Sequence, residues 1–188
     1  LDLAGNAQTL LMLTGTGFLE FPGSAGNVTN SAPTAAALAI NQTDTNNRGY
    51  GGTISGAVNF LKAGTGGIIL GNPNTFTGSF TVNGGTVFVQ NNGTLSGVTS
   101  VDVNYGQLAL QNNSYYEQND RLPDNVDLNM RGGRFYITNK PNAANVERIG
   151  RLVLHEGTNY YWTAHQGGSG VNISSIDLIS KELVRPAG

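Results

Sequence analysis

The stretch that decides the fold covers residues 53–89 and reads TISGAVNFLKAGTGGIILGNPNTFTGSFTVNGGTVFV. Its apolar runs hold only a few residues each, and turns rich in Gly and Asn separate them. Runs this short fit β-strands and are too short for helices. Gly and Asn tolerate the positive φ angles that tight turns require. The stretch therefore predicts consecutive short strands of a coiled β-structure.

Similar units recur along the rest of the chain. A Gly precedes an apolar strand at Gly67, Gly85, Gly106, Gly133 and Gly157, at intervals of 18 to 27 residues. A strand-bearing unit that recurs at such a period is typical of a solenoid, in which each coil stacks on the one before. The 188 residues therefore predict a single all-β solenoid over 1–188, with roughly eight short coils.

Alternating apolar and polar residues predict which side chains face the inside of the coils. Segments such as Val101-Asp102-Val103 have the period of two that a strand with one buried face requires. The predicted inward positions share this phase. They are Leu61, Ile68, Leu70, Val82, Val87, Val89, Val101, Val103, Leu108, Leu110, Val126, Leu128, Phe135, Ile137, Leu152, Leu154, Ile176 and Leu178. Lys62 is expected to point outward at a coil corner.

An antiparallel sandwich or barrel is the competing fold, since it also combines short strands with Gly-rich turns. Asn83-Gly84 is the strongest hairpin signal, because Val82 and Val87 flank it. The same residues also suit a corner between two faces of a coil. The recurring Gly before each strand and the shortage of two-residue hairpin spacings favour the solenoid.

The composition restricts the function classes. Charged residues make up 12% of the chain and the net charge is −2, which argues against a nucleic-acid-binding surface. The absence of Cys excludes disulfides and thiolate metal sites. No apolar run approaches the length of a membrane-spanning helix. A start at Leu1 predicts a segment of a longer chain.

The stretch from Ser55 to Val87 resembles the autotransporter-associated β-strand repeat, also called the passenger-associated transport repeat. The residues that carry the resemblance are Ser55-Gly56, Leu61-Lys62, Gly64-Thr65-Gly66, Leu70, Asn74-Thr75-Phe76-Thr77-Gly78 and Val82-Asn83-Gly84-Gly85-Thr86-Val87. This family occurs in large secreted or surface proteins of bacteria, whose passenger regions are right-handed parallel β-helices. The resemblance implies that fold and an extracellular or cell-surface location, and it implies no specific activity.

Four carboxylates form a candidate site within a loop-like segment: Glu117, Asp120, Asp124 and Asp127. Paired carboxylates on one face of a β-helix could act as acid and base on a polysaccharide. Oxygen-rich loops also suit calcium. The simpler interpretation is a solvated loop between coils, because no calcium-loop spacing is present.

Five aromatic residues form the candidate binding surface: Tyr115, Tyr116, Tyr136, Tyr161 and Trp162. If the coils are in register, these rings line up along one face, where they could stack on sugars or contact another protein. The alternative is ordinary stacking of aromatic rings within the solenoid.

The favoured function is a structural and adhesive extracellular β-solenoid without enzymatic activity, cofactor or metal. Its expected partners are copies of itself, stacked end to end or laterally into a fibre or surface layer, or further repeats of the same chain. Surface glycans are a further expected partner. The alternative function is a module that binds or degrades polysaccharide.

Overall fold

The computed structural model describes residues 1–15, 26–113, 115–165 and 175–186. Within these ranges the chain forms strands and turns, and none of their residues belongs to a helix that could cross a bilayer. The strands in chain order are β1 (Gln8–Leu10), β2 (Val28–Asn30), β3 (Ala36–Asn41), β4 (Asn47–Tyr50), β5 (Ile54–Gly56), β6 (Val58–Ala63), β7 (Gly67–Leu70), β8 (Pro73–Asn74), β9 (Ser79–Val82), β10 (Thr86–Gln90), β11 (Thr94–Leu95), β12 (Ser100–Asn104), β13 (Gln107–Gln111), β14 (Leu128–Arg131), β15 (Arg134–Asn139), β16 (Ala144–Leu154), β17 (Tyr160–His165) and β18 (Ser175–Val184).

The strands form two long parallel sheets, which we call the first and second faces. The first face has the order β1-β3-β6-β9-β12-β14-β16-β18, and the second has the order β17-β15-β13-β10-β7-β4. Short pairs, β2 with β5 and β8 with β11, form a third side. The chain thus visits the first face, the second face and the third side in turn, and then repeats the circuit. This confirms the predicted all-β parallel solenoid and excludes the antiparallel sandwich or barrel.

The number of coils is smaller than predicted: the solenoid has about six turns, not roughly eight. The early coils have the expected length, since Phe60 pairs with Phe80 twenty residues later. Later coils are longer, and Val101 pairs with Leu128, 27 residues on. In the described ranges, moreover, β1 and β18 have no second-face strand of their own coil. The right-handed sense stays a prediction, which the general preference of parallel crossover connections supports.

The core consists of columns of inward side chains that run along the solenoid. Ile68, Val87, Leu108 and Phe135 are paired in register from coil to coil on the second face, and all four are buried. Stacking identical strand positions buries each side chain against its counterparts above and below. Most predicted inward positions are confirmed as buried, and the four nearest the C-terminal end are partly buried against the core: Leu152, Leu154, Ile176 and Leu178.

The prediction was wrong at Leu61 and Lys62, where the alternation has the opposite phase. Phe60 is buried, so the side chain two positions later, Lys62, also faces inward and is fully buried, while Leu61 faces outward. The Lys62 ammonium donates to the carbonyl oxygens of Ala63 at 2.5 Å and Gly64 at 3.4 Å. Burial lowers the pKa of Lys62 below its usual value. The lysine is therefore tolerated inside because its charged end bonds to the carbonyls of the coil corner.

Phe80 and Phe88 offer a matched test of the core. The Phe80 ring is fully buried and stacks on Phe60 with a centroid distance of 5.3 Å, whereas Phe88 lies on the outer side of the second face. We expect Phe80→Ala to lower the free energy of unfolding by about 3–5 kcal/mol, because it leaves a cavity in the column. Phe88→Ala should cost clearly less in the same urea-unfolding experiment. Equal losses in the two variants would contradict the assignment of inward and outward phases.

Candidate functional site

The carboxylates of the predicted cluster lie in the long connection between β13 and β14, and two of them hold neighbouring coils together. Asp120 forms an ion pair with Arg148 at 3.0 Å, and Asp127 forms one with Arg151 at 2.6 Å. Hydrogen bonds from the Arg151 side chain and backbone lower the pKa of Asp127.

The other two members of the cluster, Glu117 and Asp124, are exposed. No three His, Asp or Glu residues in the described ranges are grouped to hold a metal ion. The geometry of this segment therefore fits a loop bound to the next coil by ion pairs better than it fits a catalytic acid–base pair.

A buried arginine occupies the interior beneath this loop. Arg121 is 1% exposed, and its guanidinium donates to the carbonyl oxygens of Gly93, Asn91 and Gln111 and to the Asn112 side-chain oxygen. Burial lowers the pKa of Arg121 to about 10. Arg121 thereby ties the loop to the end of β13 and to the preceding coil, at Asn91 and Gly93.

Glu147 caps the third side of the solenoid from within β16. Its two carboxylate oxygens accept the backbone N–H groups of Arg121, at 2.9 Å, and Leu122, at 2.8 Å. The Arg121 carbonyl in turn accepts a hydrogen bond from the N–H of Leu95, so residues 121–122 continue the third side. The Glu147 carboxylate thus bonds to the N–H groups that backbone carbonyls of the next coil would bond in a regular ladder. Burial raises the pKa of Glu147 to about 7.

Sequence reasoning missed both Arg121 and Glu147. A signal for Glu147 is nevertheless present, because it shares its alternation phase with Asn145 and Ile149, which are buried. Arg121 carries no such signal, since it lies in an irregular loop. Its role depends on carbonyl groups that only the folded coils bring together.

The predicted aromatic row is divided among three places. Tyr136 and Trp162 are neighbours on the outer side of the second face, with ring centroids 5.0 Å apart. Tyr161 points the opposite way and packs on the core residue Phe135, with centroids 6.0 Å apart. The prediction of one continuous row is therefore wrong, because adjacent residues of a strand project to opposite sides.

Tyr115 and Tyr116 lie apart from the other aromatics, in the connection after β13. Their backbone N–H groups both donate to the Asn113 side-chain oxygen, which sets the turn. Tyr115 is strongly exposed and Tyr116 is half-buried. The structure does not bring them into the Tyr136–Trp162 surface.

A groove that sequence reasoning did not anticipate follows the corner between the two faces; we call it the corner groove. Its volume is about 460 Å³. Glycines of four successive coils line it: Gly85, Gly106, Gly132 and Gly157. Aromatic and polar side chains form the remainder: Thr86, Tyr105, Gln107, Arg134, Thr158 and Tyr160.

Tyr105 has an unusual backbone conformation at this corner. Its φ is +59°, in the left-handed region; its counterpart in the next coil is Gly132, at +60°, and Gly85 at +61° and Gly157 at +93° lie elsewhere in the corners of their own coils. A bulky residue is an outlier in this region, whereas glycine enters it freely. The Tyr105 side chain is 69% exposed, and its ring lies against Gly132 of the next coil.

Comparisons with known proteins give no relative for this chain: no protein-family model, curated protein or solved structure matches it. The resemblance of residues 55–87 to the autotransporter-associated repeat therefore stays a prediction based on the residues themselves.

Glu147 makes the stability of the protein depend on pH. Its pKa is about 7 in the folded chain, against an ordinary value of 4.5, so the folded state binds more protons between these values. The free energy of unfolding should therefore fall as pH rises from about 4.5 to 7, by on the order of 3 kcal/mol from this group. Glu147→Gln should remove this slope. Urea titrations of both proteins at pH 4.5, 6 and 7.5 measure this slope. An equal dependence of the free energy of unfolding on pH in the two proteins would contradict the raised pKa of Glu147.

Proposed function

We propose that this chain is a structural and adhesive part of an extracellular β-solenoid, which associates end to end with further coils of the same chain or of another copy. The stacked parallel coils, the low content of charged residues and the uncharged polar turns support a stiff rod. The resemblance to a repeat of secreted bacterial proteins supports the extracellular location.

The observation that carries the proposal is the exposure of the core columns at β17 and β18, the last strands that the structure describes. Tyr161 continues the column of Phe135 and is 46% exposed. Leu183 pairs in register with Leu152 and is 64% exposed. In the described ranges, β17 and β18 each pair with a strand on one side only. Apolar side chains beside unpaired strand edges favour the addition of another coil.

The opposite end offers a complementary surface. Strand β1 pairs only with β3 among the described strands, and Leu11 and Met12 nearby are exposed. Contact between two different ends of one molecule is heterologous, so its repetition gives an open filament and no closed ring. Growth along the solenoid axis would leave the two long faces free to contact other surfaces.

The double substitution Tyr161→Lys with Leu183→Lys tests end-to-end association. It would place two ammonium groups without partners in the interface, which is costly once water is excluded. We expect sedimentation velocity to show mass that increases with concentration for the 188-residue chain, and monomers only for the double variant. Electron microscopy should show filaments for the unchanged chain alone.

Leu61→Lys is the control, because it adds one such charge on the outer side of β6, away from both ends. This variant should associate like the unchanged chain. A monomer at every concentration for the unchanged chain, or equal loss of association in Leu61→Lys, would refute end-to-end stacking. Thermal unfolding of each variant confirms that the comparison is made between folded proteins.

A further inference from the structure

We propose that the corner groove binds a short oligosaccharide that carries acidic sugars, with Tyr105 and Tyr160 as stacking surfaces and Arg134 as the partner of a sugar carboxylate. This inference goes beyond the proposed rod and does not depend on it. It rests on the conformation of Tyr105, on the absence of a described carboxylate within ion-pair distance of Arg134, and on the shape and chemistry of the groove.

Tyr105 occupies its position at a conformational cost. A left-handed conformation is unfavourable for a residue with a side chain, and the next coil avoids it by placing Gly132 at the corresponding position. The ring is mostly exposed, so burial of apolar surface repays little of this cost. Backbone strain that packing does not explain is a marker of functional sites. The conformation holds an aromatic ring over Gly132, at the wall of the groove.

Arg134 is the cation of the groove, and no described carboxylate lies within ion-pair distance of it. Its guanidinium lies 5.5 Å from the centroid of the Tyr160 ring. This cation–π contact fixes the side chain while the N–H groups at the guanidinium edge can still donate. Among the described residues, no Asp or Glu lines the groove. A bound carboxylate would therefore meet one positive group and no negative one.

The dimensions and polar groups of the groove fit an oligosaccharide. The groove crosses four coils, and three interstrand steps span about 14 Å along the solenoid axis. Its volume of about 460 Å³ lies within the usual range of small-molecule sites. Thr86, Gln107 and Thr158 supply uncharged donors and acceptors for sugar hydroxyls. The exposed aromatic rings supply faces for the C–H groups of pyranose rings.

A peptide fits this groove less well. A strand cannot be added within the groove at β10, β13 or β15, because these already pair on both sides; the free edge of β17 faces along the solenoid axis, away from the part of the groove that the preceding coils line. An amphipathic helix requires apolar walls, and no Leu, Ile, Val, Met or Phe in the part of the chain that the structure describes lines the groove. The chemistry of the groove thus favours a sugar over a protein segment.

The test measures binding of three trisaccharides by isothermal titration calorimetry at low salt. Two are acidic, made of 1,4-linked glucuronate or galacturonate, and the third is neutral cellotriose. We expect the unchanged chain to bind at least one acidic trisaccharide at a single site, and cellotriose at least tenfold more weakly. Tyr105→Gly and Arg134→Gln should each weaken binding of the acidic sugar at least tenfold.

Ala4→Gly provides the matched control, since Ala4 also has a positive φ, +48°, and does not line the groove. It should bind like the unchanged chain. Tyr105→Gly should remain folded, because Gly is the residue that other corners use at this φ. If Tyr105→Gly does not fold, binding by the Arg134→Gln variant alone tests the proposal.

Three results would overturn the proposal: no saturable binding of either acidic trisaccharide, equal affinity for cellotriose, or unchanged affinity in the folded variants. None of these results bears on end-to-end association, which sedimentation measures separately and which depends on different residues.

Discussion

Each coil of this protein is held in place by inward side chains that lie directly on those of its neighbours. Ile68, Val87, Leu108 and Phe135 form one such column, and Phe60 and Phe80 stack within another. Because a parallel register repeats the same strand positions, a change in one coil alters the contacts of two others. The order of the faces, the position of the corners and the exposure of the outer side chains all follow from this register.

Polar groups inside the solenoid depend on the same register. Lys62 takes a place in an inward column, between Ile40 and Val82, and its ammonium reaches corner carbonyls. Arg121 and Glu147 satisfy backbone groups at the point where the third side loses its regular strands. Buried charges of this kind are tolerated because each one is hydrogen-bonded to backbone groups of the coils around it.

The architecture could be predicted from the sequence because it depends on local signals that repeat. The Gly before each strand and the alternation at Val101 and Val103 predicted parallel stacking and most of the core. The predicted orientation of Leu61 and Lys62 was wrong, because the polarity of a lysine suggested exposure, whereas the alternation along β6 places Lys62 inside. The site was predicted less well. The position of Tyr105 beside Gly132 depends on a register between coils, which no local pattern specifies.

The proposed assembly along the axis and the proposed ligand binding at the corner would be compatible in one molecule, because they would use different surfaces. The proposed end-to-end contact would involve the exposed columns at Tyr161 and Leu183, whereas the corner groove runs along the side of the solenoid. Each coil contributes its own corner, so a further coil would lengthen the groove without covering it. A filament would therefore present many copies of a weak site, and neighbouring copies act at high effective concentration on a polymeric ligand. In this arrangement, many grooves along one rod would together give the avidity that a single shallow groove lacks.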